Sequence, residues 1–320
     1  MNCFGAEIDG PMAVIRAIHF AATAMTAGAL IFRAAVAEPA LRAAKQPATA
    51  IDVQIRRVAW IGLAVTLVSG ALWLMLQSAS MSGETCREAL TSGAIITVLN
   101  ETQFGLVSEI RLALSVVLAI CLAHDRAAWS RWLSLGAGLC LVAGLAWSGH
   151  AASTTGDLGP LHLTADALHL CAAAAWVGGL VPLALLLGSG RSDRGMARVP
   201  LEHDAVGRFS LLGIASVATL IASGGINAWI LVGSFRGLVM TGYGWLLLSK
   251  LCVFVVMVAF ATVNRFHLTP QLALAPQSAA RGTSFEQLKR NTIIEIVLGV
   301  AIYGIVGVLG MQHPPVHLMG

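Results

Sequence analysis

The chain of 320 residues is 57% hydrophobic and 11% charged, with a mean hydropathy of +0.79, and so lacks the polar surface that a soluble domain of this size requires. The formal charge of +4 does not point to nucleic acid, because the basic residues lie mainly on one side of the expected membrane. Cys3, Cys86, Cys121, Cys140, Cys171 and Cys252 show no CxxC spacing, which argues against a zinc site built from four cysteines.

The first ten residues carry Glu7 and Asp9 but no Lys or Arg, so the apolar run that follows is expected to span a membrane rather than to be a cleaved signal. Eight such runs occur, near 12–35, 57–78, 106–123, 131–148, 166–188, 207–232, 244–263 and 292–311. Each is adequate for a hydrocarbon core of roughly 30 Å. The segment 84–104 has an apolar centre too short to span, and reads as an interfacial helix or a partly ordered loop lying on the membrane. The expected fold is an all-α polytopic membrane helix bundle of about eight transmembrane helices.

Basic charge alternates between the connections. Those after the first, third, fifth and seventh runs hold most of the Lys and Arg, including Arg33, Arg56, Arg57, Arg131, Arg208, Arg265 and Lys289. By the positive-inside rule these face the cytoplasm, which puts both termini outside. His150, His162, His169, His313 and His317 then lie at the outer face, with His19 about two turns below it.

The two halves of the chain, 1–150 and 151–320, resemble one another. His19 to Gly28 and His169 to Gly178 have the same spacing, and Thr102 precedes Arg111 as Thr241 precedes Lys250. Four helices per repeat preserve orientation, so two parallel four-helix repeats are expected, related by an axis along the membrane normal. His19 and His169 become repeat-related partners.

Within the stretch 149–182, His162, Asp166 and His169 fall at i, i+4 and i+7 and project from one helical face. Imidazole suits copper, zinc and iron, and a neighbouring carboxylate can ligate or orient it. His19, His150, His162, His169, Met311, His313 and His317 are therefore the candidate metal ligands. Asp166, Arg111, Lys250 and Glu295 are expected to support them, since an ionisable group inside an apolar segment costs about 2.5–3.5 kcal/mol at mid-span. Trp73, Trp147 and Trp245 fit an interfacial aromatic belt, and Gly178 and Gly224 fit close helix approach. Cys3 and Cys86 share the outer side, where an oxidising compartment would permit a disulfide.

The GHA at 149–151, LHLCAAAAWVGGLVP at 168–182, LVMTGYGWLLLSKL at 238–251, NRFHLTPQL at 264–272 and NTIIEIVLGV at 291–300 together resemble the bacterial copper-resistance CopD family. The resemblance implies a multi-pass protein of the bacterial inner membrane that is associated with copper uptake or tolerance and works beside a periplasmic CopC-like copper-binding partner. It places residues 131–320 in the CopD-like core, and residues 1–130 in the first three crossings with the outer segment. The function expected is that of a membrane copper protein, without enzymatic activity, that takes copper at the periplasmic face and moves it across the bilayer. Two alternatives stand beside it. One is a haem-binding oxidoreductase with His19 and His169 as axial ligands of haem b, because the first run also looks distantly like HemJ-type oxidases. The other is a receptor that docks the copper chaperone without transport.

Overall fold

The computed structural model describes residues 10–45, 49–125, 127–188, 199–274 and 279–317. Cys3 lies outside them, and so does any pairing with Cys86. Among the described residues there is no strand, and eight helices are long and apolar enough to cross a membrane. We label them α1 (Gly10–Ala43), α2 (Ala50–Ser82), α3 (Gln103–Ala123), α4 (Trp129–Ser148), α5 (Leu158–Gly188), α6 (Leu201–Val232), α7 (Gly242–Gln271) and α8 (Gly282–Leu309). Eight crossings bring Gly10 and Leu309 to one end of the bundle. His150, His162 and His313 are at this His-rich end; Arg33, Arg56, Arg131 and Arg265 are at the other, the Arg-rich end.

The centre of the bundle is the crossing of α1 with α5. α1 packs on α2, α4, α5 and α8, and α5 packs on α6, α8, α4 and α1. The crossing is reciprocal: a Cβ on Gly28 would run into the Ala174 carbonyl, and a Cβ on Gly178 would run into the Ala24 carbonyl. Ala24 and Gly28, like Ala174 and Gly178, are four residues apart, the small-xxx-small spacing that lets helix backbones approach in lipid.

Three spans contain a π-helical turn, at Arg33–Ala37 in α1, Ala174–Gly178 in α5 and Asn264–Leu268 in α7. Each precedes a proline: Pro39, Pro182 and Pro270. A proline lacks the N–H that would serve the carbonyl four residues earlier and crowds it. Here those carbonyls belong to Ala35, Gly178 and Phe266, each inside its π turn, and the widened turn accommodates the mismatch.

The segment expected to lie on the membrane forms two short helices, Cys86–Ala89 and Ala94–Glu101. The first starts with a capping box in which Thr85 and Glu88 bond each other's backbone N–H. The Thr85 amide and hydroxyl hold the exposed Glu88 carboxyl below its ordinary range. A short helix, Phe235–Met240, occupies the same place before α7. The hydroxyls of Thr102 and Thr241 then cap α3 and α7 in the same way, each accepting at 3.0 Å from the amide three residues on, Gly105 and Gly244.

The Arg-rich end of the first four helices is fixed by a buried ion network. Arg33 donates to both Asp125 oxygens at 2.6 and 2.8 Å and lies 2.8 Å from an Asp52 oxygen. Bidentate pairing of this kind offsets part of the cost of removing the charges from water.

Candidate functional site

His19 and His169 stand in corresponding surroundings with one decisive difference. The Nδ1 of His19 is 2.9 Å from the Ser69 hydroxyl on α2, and the Nδ1 of His169 is 3.1 Å from the Ser223 hydroxyl on α6. Gly70 and Gly224 follow those serines and leave room for the imidazole edges, which approach their Cβ positions to 3.1 and 3.3 Å. Ser69 and Ser223 in turn donate to Val65 and Thr219 carbonyls at 2.6 Å. Each serine therefore presents a lone pair to its imidazole, so that Nδ1 carries the proton and Nε2 is the free acceptor.

In the first half that acceptor is taken. The Arg111 guanidinium donates to His19 Nε2 at 2.7 Å, and the Trp73 ring stands edge-on to the imidazole at 5.3 Å. Arg16 lies 4.9 Å over the same indole, and Phe104 packs on it at 5.2 Å. Trp73 is thus a core residue, 2% exposed, and not part of the interfacial belt expected from the sequence. A residue near the end of an apolar run gives no sign of which way it faces; Trp147 and Trp245, at 40% and 59%, do face outward.

In the second half the corresponding residues are smaller or more polar. Counted from the matched His, Ser and Thr, Arg16 corresponds to Asp166, Trp73 to Asn227, Phe104 to Tyr243 and Arg111 to Lys250. The exchange of Trp73 for Asn227 removes the filling side chain, and a cavity of about 330 Å³ opens instead. His150, His162, Asp166, His169, Tyr243 and Lys250 all line it. Asn227 donates to Asp166 at 3.1 Å, and the Lys250 ammonium is close enough to interact with that carboxylate. His169 bonds Ser223 and the Leu220 carbonyl, and among the described residues no guanidinium reaches it as Arg111 reaches His19.

Two further imidazoles guard this chamber. His162 is 1% exposed, with Nδ1 2.7 Å from the Thr154 hydroxyl. His150 sits in the short turn His150–Ser153 between α4 and α5, with its Nε2 3.5 Å from the Leu309 carbonyl. Burial lowers the His150 pKa below the usual imidazole value; the Leu309 carbonyl opposes this, and the charges of Arg16, His162 and His313 add to it. His150 is therefore neutral at pH 7 and competent as a ligand.

The remaining expected ligands are dispersed. His19 does not line the chamber, so of the repeat-related pair only His169 opens on it. His313 is exposed beside the His-rich end, Met311 is half-buried against a core cluster, and the side chain of His317 lies outside the described residues. Glu295 lines a separate cavity toward the Arg-rich end. Among the described residues no three His, Cys, Asp or Glu side chains already stand at metal-binding distance of one another. Met257, fully buried, faces the chamber floor, whereas Cys140 and Cys252 are exposed on the outside of the bundle. Ser69, Ser223, Asn227 and Tyr243 were not singled out by the sequence, although Ser-Gly recurs at 69–70 and 223–224 in the second span of each half.

Residues 203–309 match the family model for copper resistance protein D, and residues 7–160 match that for the copper resistance protein D-like N-terminal domain. Copper resistance protein D of Pseudomonas syringae pv. tomato is 31% identical over 261 residues, 80% of this chain and 82% of the relative. The chain belongs to the copper resistance protein D family. The inner membrane protein YebZ of Escherichia coli K12 is 28% identical over 94% of this chain and 97% of its own length. The copper transport protein CutJ of Bacillus subtilis 168 is 30% identical over 65% of this chain and 38% of its own length. No solved structure matches the chain. Family membership and eight apolar helices make it a multi-pass inner-membrane protein.

Proposed function

We propose that this member of the copper resistance protein D family takes copper at its His-rich end and passes it across the inner membrane. The observation that carries the reading is that His169, without the guanidinium bond that caps His19, opens on a chamber shared with His150, His162 and Asp166. Imidazole nitrogen is a good donor to copper, and the Ser223 hydroxyl bonded to Nδ1 orients the ring as outer-shell partners of metal-bound His do. The basic residues at the opposite end support a cytoplasmic placement for that end, which puts the His-rich end and both termini in the periplasm. There the exposed His313, with Met311, would receive copper from a CopC-like partner.

His19 fits a structural part in this reading, because Arg111 already occupies the nitrogen a metal would need. Asp166 is the chamber's carboxylate beside the cationic Arg16 and Lys250, so a copper ion entering it meets imidazoles and one carboxylate that Lys250 already engages. The reading is tested with purified protein in proteoliposomes loaded with a copper-sensitive dye. Copper influx that falls at least tenfold in His169→Ala and is kept in His19→Gln is expected. Copper bound at the His-rich end with no flux in the intact protein would leave a receptor, not a transporter.

A further inference from the structure

A second cavity of about 330 Å³ lies toward the Arg-rich end, between α5, α6, α7 and α8. Its polar lining includes Ser210, Asn264, Arg265 and Glu295. Asn264 donates to Glu295 at 2.6 Å and accepts from Asn291 at 2.8 Å, and Arg265 donates to Ser210 at 2.6 Å. Two residues, Trp176 and Ile221, line both this cavity and the His-lined chamber. Trp176 is the larger, only 2% exposed, and stands edge-on to Phe254 at 6.0 Å.

The geometry points to a path lined mainly by α5–α8, with two chambers stacked along the membrane normal and the Trp176 indole as the movable partition between them. Three observations converge on it. First, the two cavities open toward opposite ends, one against Gly149 and Gly310, the other against Thr269 and Leu288. Second, Trp176 sits inside the π turn Ala174–Gly178, where the backbone already departs from regular helix, and such turns recur at functional positions. Third, the Glu295 carboxylate lies within reach of the indole N–H, so a cation that binds the carboxylate competes with the contact that holds the ring in place. The path therefore runs mainly through the second half, with Arg16 and Phe20 of α1 and Leu145 of α4 walling the His-lined chamber, and the close Gly28 and Gly178 crossing at the centre carries none of it. The copper-passage reading supplies only the identity of what moves; the partition stands apart from it.

Thiol labelling tests the partition in the full chain, with the six native cysteines replaced by serine or alanine. Ala228→Cys reports the His-lined chamber and Ser210→Cys the other; a charged, membrane-impermeant methanethiosulfonate is applied to oriented vesicles from each face in turn. With Trp176 intact, each cysteine is expected to react from one face only, and the two from opposite faces. Trp176→Ala should let each react from both faces, at least tenfold faster from the formerly silent one, while Trp176→Phe keeps the one-sided pattern. If Trp176→Ala does not fold, Trp176→Leu is read in the same assay against the same two results. Reaction of both cysteines from a single face with Trp176 intact, or one-sided labelling that survives truncation of Trp176 in folded protein, would overturn the partition. Copper flux measured in the same vesicles is a separate arm: absent flux with one-sided labelling retained refutes copper passage and supports the partition.

Discussion

Arg111 donates to His19 Nε2 at 2.7 Å, and Lys250, its counterpart in the second half, makes no such bond to His169. One buried imidazole is thereby capped, and the other is left facing a chamber. The difference follows from a few exchanged side chains in otherwise matching surroundings, and it assigns the two histidines different consequences on mutation.

His19→Ala should cost stability and spare copper binding. It strands a buried guanidinium, whose loss of a hydrogen-bond partner costs about 1–3 kcal/mol or more. His169→Ala should do the reverse, lowering copper affinity by at least tenfold with little change in the unfolding temperature. Equilibrium dialysis with metal analysis, alongside thermal unfolding in detergent, separates the two.

The helix crossing offers a second test. Gly178→Ala and Gly28→Ala each push a methyl group into a backbone carbonyl, which has no rotamer by which to yield. Overpacking of this kind costs about 1–3 kcal/mol and occasionally more. Gly304→Ala meets nothing within 4 Å and should leave the folded fraction unchanged. Fluorescence-detected size exclusion after a heat step reads all three.

Arg33 is 5% exposed at its side chain and Asp125 is 4%. Removing Arg33 leaves the buried Asp125 with only the distant Arg56 at 4.0 Å, so Arg33→Met should destabilise by about 3–5 kcal/mol. Asp125→Asn keeps an acceptor for the guanidinium and should cost less. Thermal unfolding of the two variants gives the order; equal losses would contradict the network.

His150 gives a pH dependence with a fixed sign. Burial lowers its pKa, so the unfolded chain binds this proton more readily than the folded one. The stability it contributes is complete above the ordinary imidazole value of about 6.5 and is lost as pH falls below it. His150→Gln should therefore flatten the acid side of the stability profile, with Arg16, His162 and His313 still present around it. Copper binding that uses His150 should also persist to lower pH than binding to a free imidazole. Unfolding temperatures from pH 7 to pH 5 check the first statement, and copper titrations over the same range check the second.

Much of this arrangement is legible in the sequence because it depends on spacing. The nine-residue interval from His19 to Gly28 recurs from His169 to Gly178, and the glycines prove to be the contact between α1 and α5. The intervals after Thr102 and Thr241 identify Arg111 and Lys250, and the same register pairs Phe104 with Tyr243. The facing of single residues was not legible, since apolar periodicity inside a membrane does not distinguish a lipid-facing ring from a core ring. Trp73 is the clear case. Nor does the pattern around 149–182 show that only one half opens a chamber, because that depends on Trp73 and Asn227, which lie on partner helices distant in sequence.

Copper influx into proteoliposomes that carry the intact protein, compared with His169→Ala and His19→Gln in the same preparation, tests copper passage through the second half most directly. Influx abolished by His169→Ala and retained in His19→Gln is expected; influx that survives His169→Ala, or that is lost equally in both folded variants, would contradict it.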